Sequence, residues 1–173
     1  MIGLEPGIVR LSPYNPEWVK LFNAEKARLT RAINGFVLDI QHVGSTAIPG
    51  MPAKPIIDIA VVVEDFDRAR VCISPLQLIG YKYRGENGIP RRHYFEKGDP
   101  RSFHVHINEI NSRNWEDQVL FRDYLIAHPE IAGEYAVLKA SLAARYPNDR
   151  DAYLEAKAPF IQQALQAARQ ERE

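Results

Sequence analysis

Cysteine is almost missing from this chain: Cys72 is the single one in 173 residues. An internal disulfide is therefore excluded, and the usage fits a reducing cytoplasm, which is the expected location. Nothing beside Cys72 would lower its thiol pKa, so it reads as a small buried apolar residue. Net charge is missing too, because 22 Lys and Arg balance 22 Asp and Glu. A neutral chain is not a general binder of polyanions, and any anion site must be a local cluster. No basic stripe with interleaved aromatics occurs, so a nucleic-acid partner is not expected. No apolar run approaches the roughly 20 residues a membrane helix needs, so no membrane partner is expected either. The opening MIGLEPGIVRL lacks the basic start and apolar centre of a signal peptide. Internal repeats, low-complexity tracts and long linkers are also lacking.

What is present is ordinary for a globular protein: 46% hydrophobic and 25% charged residues. The length fits one domain over 1–173, large enough to bury a real core. The most informative stretch runs from His42 to Val63, HVGSTAIPGMPAKPIIDIAVVV. It opens on a Gly44-Ser45-Thr46 turn, bends at Pro49, Gly50 and Pro52, and continues into an apolar run broken by one carboxylate, Asp58. A strand with no polar side is usually buried on both faces. An ionised carboxylate there is costly unless it is paired, hydrogen-bonded or bound to a cation. Glycine lets a backbone approach a ligand closely, and Ser45 and Thr46 add hydroxyls. A phosphate and metal site follows as the expectation. An ordinary serine-capped turn is the plain alternative.

Along the rest of the chain, Ile8 to Leu11 reads as a short edge strand or an extended lead-in. Asn15-Pro16-Glu17 starts a helix, with Trp18, Leu21, Phe22, Leu29 and Ile33 on one face and Gly35 closing it. Phe36 to Val43 reads as the first sheet strand. His42 at its end has two readings: a structural residue that hydrogen-bonds the loop backbone, which is favoured, or a residue lining the nucleotide or metal pocket. Lys54 to Val63 reads as the central strand, with Lys54, Asp58 and Ala60 on one face. Asp65 caps a helix that Pro75 should break or kink. Tyr81 to Arg84 and Arg91 to Glu96 read as strands. Alternation puts Arg91 and His93 on one face of the latter and Arg92 on the other, where Arg92 could meet a phosphate. Ser102 to Ile110 is a further strand, with His104, His106 and Asn108 on one face and Phe103, Val105 and Ile107 on the other. Two histidines at i and i+2 can ligate one ion, although a solvated polar face gives the same pattern. Three helices close the chain, over about 114–170, behind a sheet core of about 36–110. Arg122, Lys139 and Lys157 are cations on their apolar faces and candidates to point into the cleft.

Val43-Gly44-Ser45, twelve residues, then Asp58-Ile59-Ala60-Val61 resembles the signature of the polymerase-beta-like nucleotidyltransferase superfamily. HVGSTAIPGMPAKPIIDI, FRDYLIAHPEIAGEYAVLK and DRDAYLEAKAPFI are similar to one branch of it, the GrpB family, a module also fused to some dephospho-CoA kinases. The resemblance spans about Pro13 to Ile161. It implies an α+β, nucleotidyltransferase-like mixed sheet flanked by helices, with a C-terminal helical part. It implies a divalent metal ion (Mg²⁺, Mn²⁺ or Zn²⁺), with Asp58 as the remaining catalytic carboxylate. Gly44, Ser45, Thr46, Lys54 and Arg92 would face phosphate, and His104 and His106, on a late strand where the superfamily's third carboxylate usually sits, would complete the metal shell with Asp58, a mixed oxygen and nitrogen set that suits Zn²⁺, Mn²⁺ or Fe²⁺ better than Mg²⁺. The second acidic position of the superfamily pattern is Ala60 here, a gap that GrpB proteins generally share. Three functions fit: metal-dependent nucleotidyl or phosphoryl transfer to a small molecule, a nucleotide- or metabolite-binding module that has lost catalysis, or a metal-dependent phosphoesterase. A nucleotide or other small phosphorylated metabolite is the expected partner. Nothing in the sequence fixes the oligomeric state.

Overall fold

A computed structural model describes residues 1–173. Five strands form one mixed sheet: β1 (Asp39–Val43), β2 (Ile57–Val63), β3 (Lys82–Tyr83), β4 (Arg92–Lys97) and β5 (Phe103–Glu109), in the order β1-β2-β5-β4-β3. The β2 and β5 strands run parallel, and the other pairs are antiparallel. Helices α1 (Glu17–Ile33) and α2 (Ile73–Leu78) lie on one face. Helices α3 (Arg113–Ala127), α4 (Pro129–Arg145) and α5 (Arg150–Gln170) follow the sheet. The fold is α+β, with the C-terminal helical part in place. No helix is long and apolar enough to cross a membrane.

The alternation of the strands divides the sheet chemically. Ile57, Ile59 and Val61 of β2 and Val105 and Ile107 of β5 point to α1, where they bury Trp18, Phe22, Leu29 and Ile33. Each large apolar side chain removed from water there contributes about 1.5–3 kcal/mol. Asp58, Ala60, His104 and His106 necessarily point the other way. That second face is roofed by the C-terminal helices. Leu125 of α3 and Tyr135 of α4 pack on Ile48 and Met51, which lie in the bend after the Gly-Ser turn. Ser112 caps α3 by accepting from the Trp115 N–H at 3.3 Å. Asp149 caps α5 by accepting from the Ala152 N–H at 3.0 Å.

Several boundaries differ from the sequence reading. Ile8 to Leu11 is a lead-in rather than an edge strand; isolated bridges flank it, Leu4 to Arg101 and Ser12 to Ala53, and Val9 anchors it by donating its N–H to the Pro147 carbonyl at 2.8 Å and packing with Leu142 and Tyr153. The first strand begins at Asp39, and Phe36 and Leu38 are exposed before it. The strand carrying Asp58 begins at Ile57, because Pro52 and Pro55 remove backbone donors and keep the preceding chain irregular. It is not the central strand: β5 is. Pro75 does not break a helix. It lies in the first turn of the six-residue α2, where its missing N–H has no intrahelical partner to lose.

Candidate functional site

Parallel pairing of β2 with β5 sets the site. Its register places Asp58 beside His104 and Ala60 beside His106. Asp58 Oδ1 lies 3.3 Å from His104 Nδ1 and 3.1 Å from His106 Nε2. The three candidate ligand atoms lie within 4.8 Å of one another. Ligand atoms about 2.1 Å from a tetrahedral ion are about 3.4 Å apart, so this donor set fits a divalent ion with small adjustments. Burial pushes the Asp58 carboxyl up, but hydrogen bonds and charge from His104 and His106 outweigh it and hold its pKa well below the usual range. Burial lowers the pKa of His106, partly offset by its bond to Asp58.

The Gly-Ser turn closes over this carboxylate. Gly44 has φ 72° and ψ −175°, a conformation essentially restricted to glycine. Ser45–Ala47 then makes a single 3₁₀ turn, too short to offer a helix N-terminus for anions. Thr46 is buried, and its hydroxyl lies 2.9 Å from His42 Nε2. His42 also stacks on Phe22, with ring centroids 4.8 Å apart. It belongs to the core face and steadies the turn through a hydroxyl rather than through the loop backbone.

Gly44, Ser45, Thr46, Lys54, Asp58, Arg92, His104 and His106 all line one cavity of about 650 Å³ between the sheet and the helices. Lys54 gets there from an irregular segment rather than by strand alternation. Arg92 rides over the Tyr94 ring at 4.7 Å, and its guanidinium also donates to the carbonyls of Glu86 and Asn87. Arg91 and His93 lie elsewhere: Arg91 pairs with Glu109, and His93 stacks on Phe66.

The helical roof adds cations. Lys139 and Lys157 line the cavity, and so does Arg150 at the start of α5. Lys139 donates to the Pro52 carbonyl at 2.5 Å, and Lys157 lies 4.9 Å from the centre of the Tyr153 ring. Arg122 turns away instead and donates to Gln41 Oε1 and the His42 carbonyl, both at 2.8 Å. Burial lowers the Lys54 pKa to about 8 and those of Lys139 and Lys157 to about 7, with neighbouring cations adding to the effect. None of Lys54, Arg92, Lys139 and Lys157 is ion-paired to a carboxylate, and Arg150 has only its neighbour Asp151 at 3.9 Å. Tyr94, Tyr135 and Arg150 line the site with no signal in the sequence, since one aromatic or arginine at a helix or strand position looks like any other.

The family profile described as "GrpB protein" matches residues 8–167. The chain is 42% identical over 162 residues to UPF0157 protein YqkA of Bacillus subtilis, covering 93% of this chain and 47% of that protein, so it spans about half that relative's length. It is 37% identical to the glutamate-rich protein GrpB of Alkalihalophilus pseudofirmus, covering 95% and 98% of the two chains. A dephospho-CoA kinase of Mycolicibacterium paratuberculosis is 32% identical, over 92% of this chain and 46% of the kinase. Among solved structures, the conserved protein GrpB from Enterococcus faecalis superposes with a TM-score of 0.88 at 35% identity, covering 94% and 98%. The Cid1 poly(U) polymerase with MgGTP bound superposes with a TM-score of 0.53 at 15% identity, covering 77% of this chain and 44% of the polymerase; that likeness concerns the nucleotidyltransferase-like fold alone. A match over nearly the whole chain, with a full-length relative and a full-length structural counterpart, places this protein in the GrpB family.

Proposed function

We propose that this chain transfers a nucleotidyl or phosphoryl group from a nucleotide or other phosphorylated metabolite to a small-molecule acceptor, with a divalent ion held on Asp58, His104 and His106. The observation that carries the reading is the set of five cations, Lys54, Arg92, Lys139, Arg150 and Lys157, converging on the cavity that also contains Asp58. Buried charges are ordinarily paired. Four of these have no carboxylate partner, so an anionic ligand is the natural counter-charge. The size of the cavity suits a nucleotide or a coenzyme-like molecule. The similarity to dephospho-CoA kinases, themselves named for a phosphorylated metabolite, is consistent with that class of ligand.

In this reading the Gly44-Ser45-Thr46 turn brings backbone and hydroxyl groups against the phosphates, close to Asp58. Lys54 and Arg92 bind the same phosphates from the sheet side, and Lys139, Arg150 and Lys157 from the helices. A divalent ion bound there supplies charge neutralisation along the phosphate chain. Ala60 occupies the lane where a second carboxylate would stand, and its register partner His106 brings a neutral nitrogen donor to that place. Nitrogen donors favour a transition metal over Mg²⁺.

Ala60 also favours a second reading, a module that binds the metabolite without turning it over. One thermal-shift series separates them. A ligand at 100 times its Kd stabilises the fold by about 2.7 kcal/mol. Nucleotides and phosphorylated metabolites with Mn²⁺, Zn²⁺ or Mg²⁺ should shift the wild type and not Asp58→Asn. Pyrophosphate release or transfer with a shifting ligand identifies the enzyme. A shift without turnover identifies the binding module. No shift with any pair overturns both readings.

A further inference from the structure

Arg92 and His106 carry an inference about how the site loads. It rests on the metal and phosphate reading above. His106 presents Nε2 to Asp58 Oδ1 at 3.1 Å and Nδ1 to Arg92 Nη1 at 3.3 Å. Arginine only donates, so Nδ1 must accept. A neutral imidazole has one N–H, which then sits on Nε2 and is donated to Asp58. In that tautomer Nε2 has no lone pair for a metal. Ligation through Nε2 requires the proton on Nδ1, and that N–H would face the Arg92 N–H donor to donor. The two contacts are mutually exclusive.

The rest of the Arg92 guanidinium is held in place. Its Nε donates to the Glu86 carbonyl at 3.2 Å, and its Nη2 donates to the carbonyls of Glu86 and Asn87 at 3.1 and 2.9 Å. Only Nη1 is turned to the histidine, and Arg92 lines the cavity. An oxyanion in the cavity is a better acceptor for that N–H than a neutral imidazole nitrogen, because it adds the attraction of opposite charges to the hydrogen bond. Once the anion takes Nη1, His106 is free to carry its proton on Nδ1 and to ligate.

We infer that Arg92 couples the two halves of the site: it holds His106 in a tautomer that cannot ligate until a phosphate oxygen takes over its Nη1, so metal and phosphorylated ligand load together. By linkage the effect is reciprocal, each ligand tightening the other by the same factor. Arg92 is a positioning residue for the metal, acting through His106.

The test reads the tautomer and the metal separately from any activity. Two-bond ¹H–¹⁵N spectra of the histidine rings in the metal-free, phosphate-free protein should show His106 as the Nε2–H form. The same spectra of Arg92→Met should show that preference relaxed. Mn²⁺ titrated alone should bind wild type about tenfold more weakly than in saturating inorganic phosphate. In Arg92→Met that gap should close to within about twofold, with Mn²⁺ alone binding as tightly as wild type with phosphate. An Nδ1–H tautomer in the wild type overturns the inference, whatever the variant does. So does Mn²⁺ affinity that is independent of phosphate in the wild type. Absence of Mn²⁺ and Zn²⁺ binding in both proteins, with the Nε2–H tautomer observed, overturns the metal reading itself and leaves nothing for Arg92 to couple.

Discussion

Gly44 and Asp58 are in contact across the turn that joins β1 to β2: a Cβ placed on Gly44 would lie 2.8 Å from Asp58 Oδ2. The glycine of the Gly-Ser turn is therefore fixed twice, by its backbone conformation and by the carboxylate it covers. Gly44→Ala should be destabilised by about 1–3 kcal/mol from the backbone alone. The methyl group also pushes Asp58 away from the two histidines. A urea midpoint lowered accordingly, together with loss of the Mn²⁺ thermal shift, is the expected outcome. A variant that kept wild-type stability would show that the turn relaxes without strain.

Much of this site was legible in the sequence, for a definite reason. Alternation along a strand is local, so Asp58 with Ala60, and His104 with His106, could each be assigned to one face from spacing. That β2 and β5 lie side by side, in a register that puts Asp58 against His104, is a long-range pairing that spacing does not encode. Lys54 shows the limit from the other side. Alternation placed it on the Asp58 face, and it does line the cavity, yet it arrives through a proline-containing segment to which the period does not apply. Arg122 matched the same expectation as Lys139 and Lys157, but β1 offers it Gln41 and a carbonyl, so it is satisfied before reaching the cleft. Tyr94 and Arg150 carry no local pattern at all and depend on tertiary packing.

Glu25 is the buried acid on which one end of the sheet is tied to α1. It is 1% exposed and accepts from Tyr81 Oη at 2.8 Å and Lys97 Nζ at 2.6 Å, with Arg28 at 3.1 Å. Removing one partner of such a pair leaves the other poorly compensated. Lys97 retains some solvent, so Glu25→Ala should cost about 3 kcal/mol, the lower end for buried pairs. Glu25→Gln, which keeps an acceptor for Tyr81, should cost clearly less. Chemical denaturation of both variants checks the order. An Ala variant no worse than Gln would mean that the charge contributes nothing there.

His42 should make the fold sensitive to mild acid. Burial lowers its pKa to about 4, with Arg122 adding to the shift and Asp58 opposing it. The unfolded chain, with an ordinary histidine near pH 6.5, binds a proton that the folded chain refuses between those values. Stability must therefore fall as pH drops from about 6.5 to about 4, by on the order of 3 kcal/mol. Below that window both states are protonated and the histidine contributes no further loss. Asp58 acts lower still, since its depressed pKa keeps its contribution until the pH falls below the ordinary carboxylate range. Melting temperatures of wild type and His42→Gln measured from pH 7 to 4 should converge as the pH falls. Parallel curves would remove His42 from the account.

The lysines of the roof should weigh against stability while they wait for a ligand. Lys139 is 1% exposed, Lys157 shares its cavity, and neither has a carboxylate partner. Their folded pKa values, lowered to about 7, lie below the ordinary lysine value. The unfolded chain thus binds more protons between about pH 7 and 10, and stability must rise as pH is raised through that window. Replacing an uncompensated buried cation by an apolar residue of similar length is neutral to stabilising. Lys157→Met should accordingly raise the ligand-free melting temperature at pH 7, by the equivalent of about 1–2 kcal/mol, and flatten its rise toward pH 9. The same variant should lose most of the thermal shift produced by a phosphorylated ligand, because in the proposed reading the cation that lowers the stability of the fold is one that would hold the anion. Both effects belong to one experiment: melting curves at pH 7 and pH 9, with and without the ligand that shifts the wild type. A variant that was destabilised at pH 7 would show that Lys157 is already compensated inside the fold, and would remove it from the set of cations awaiting an anion.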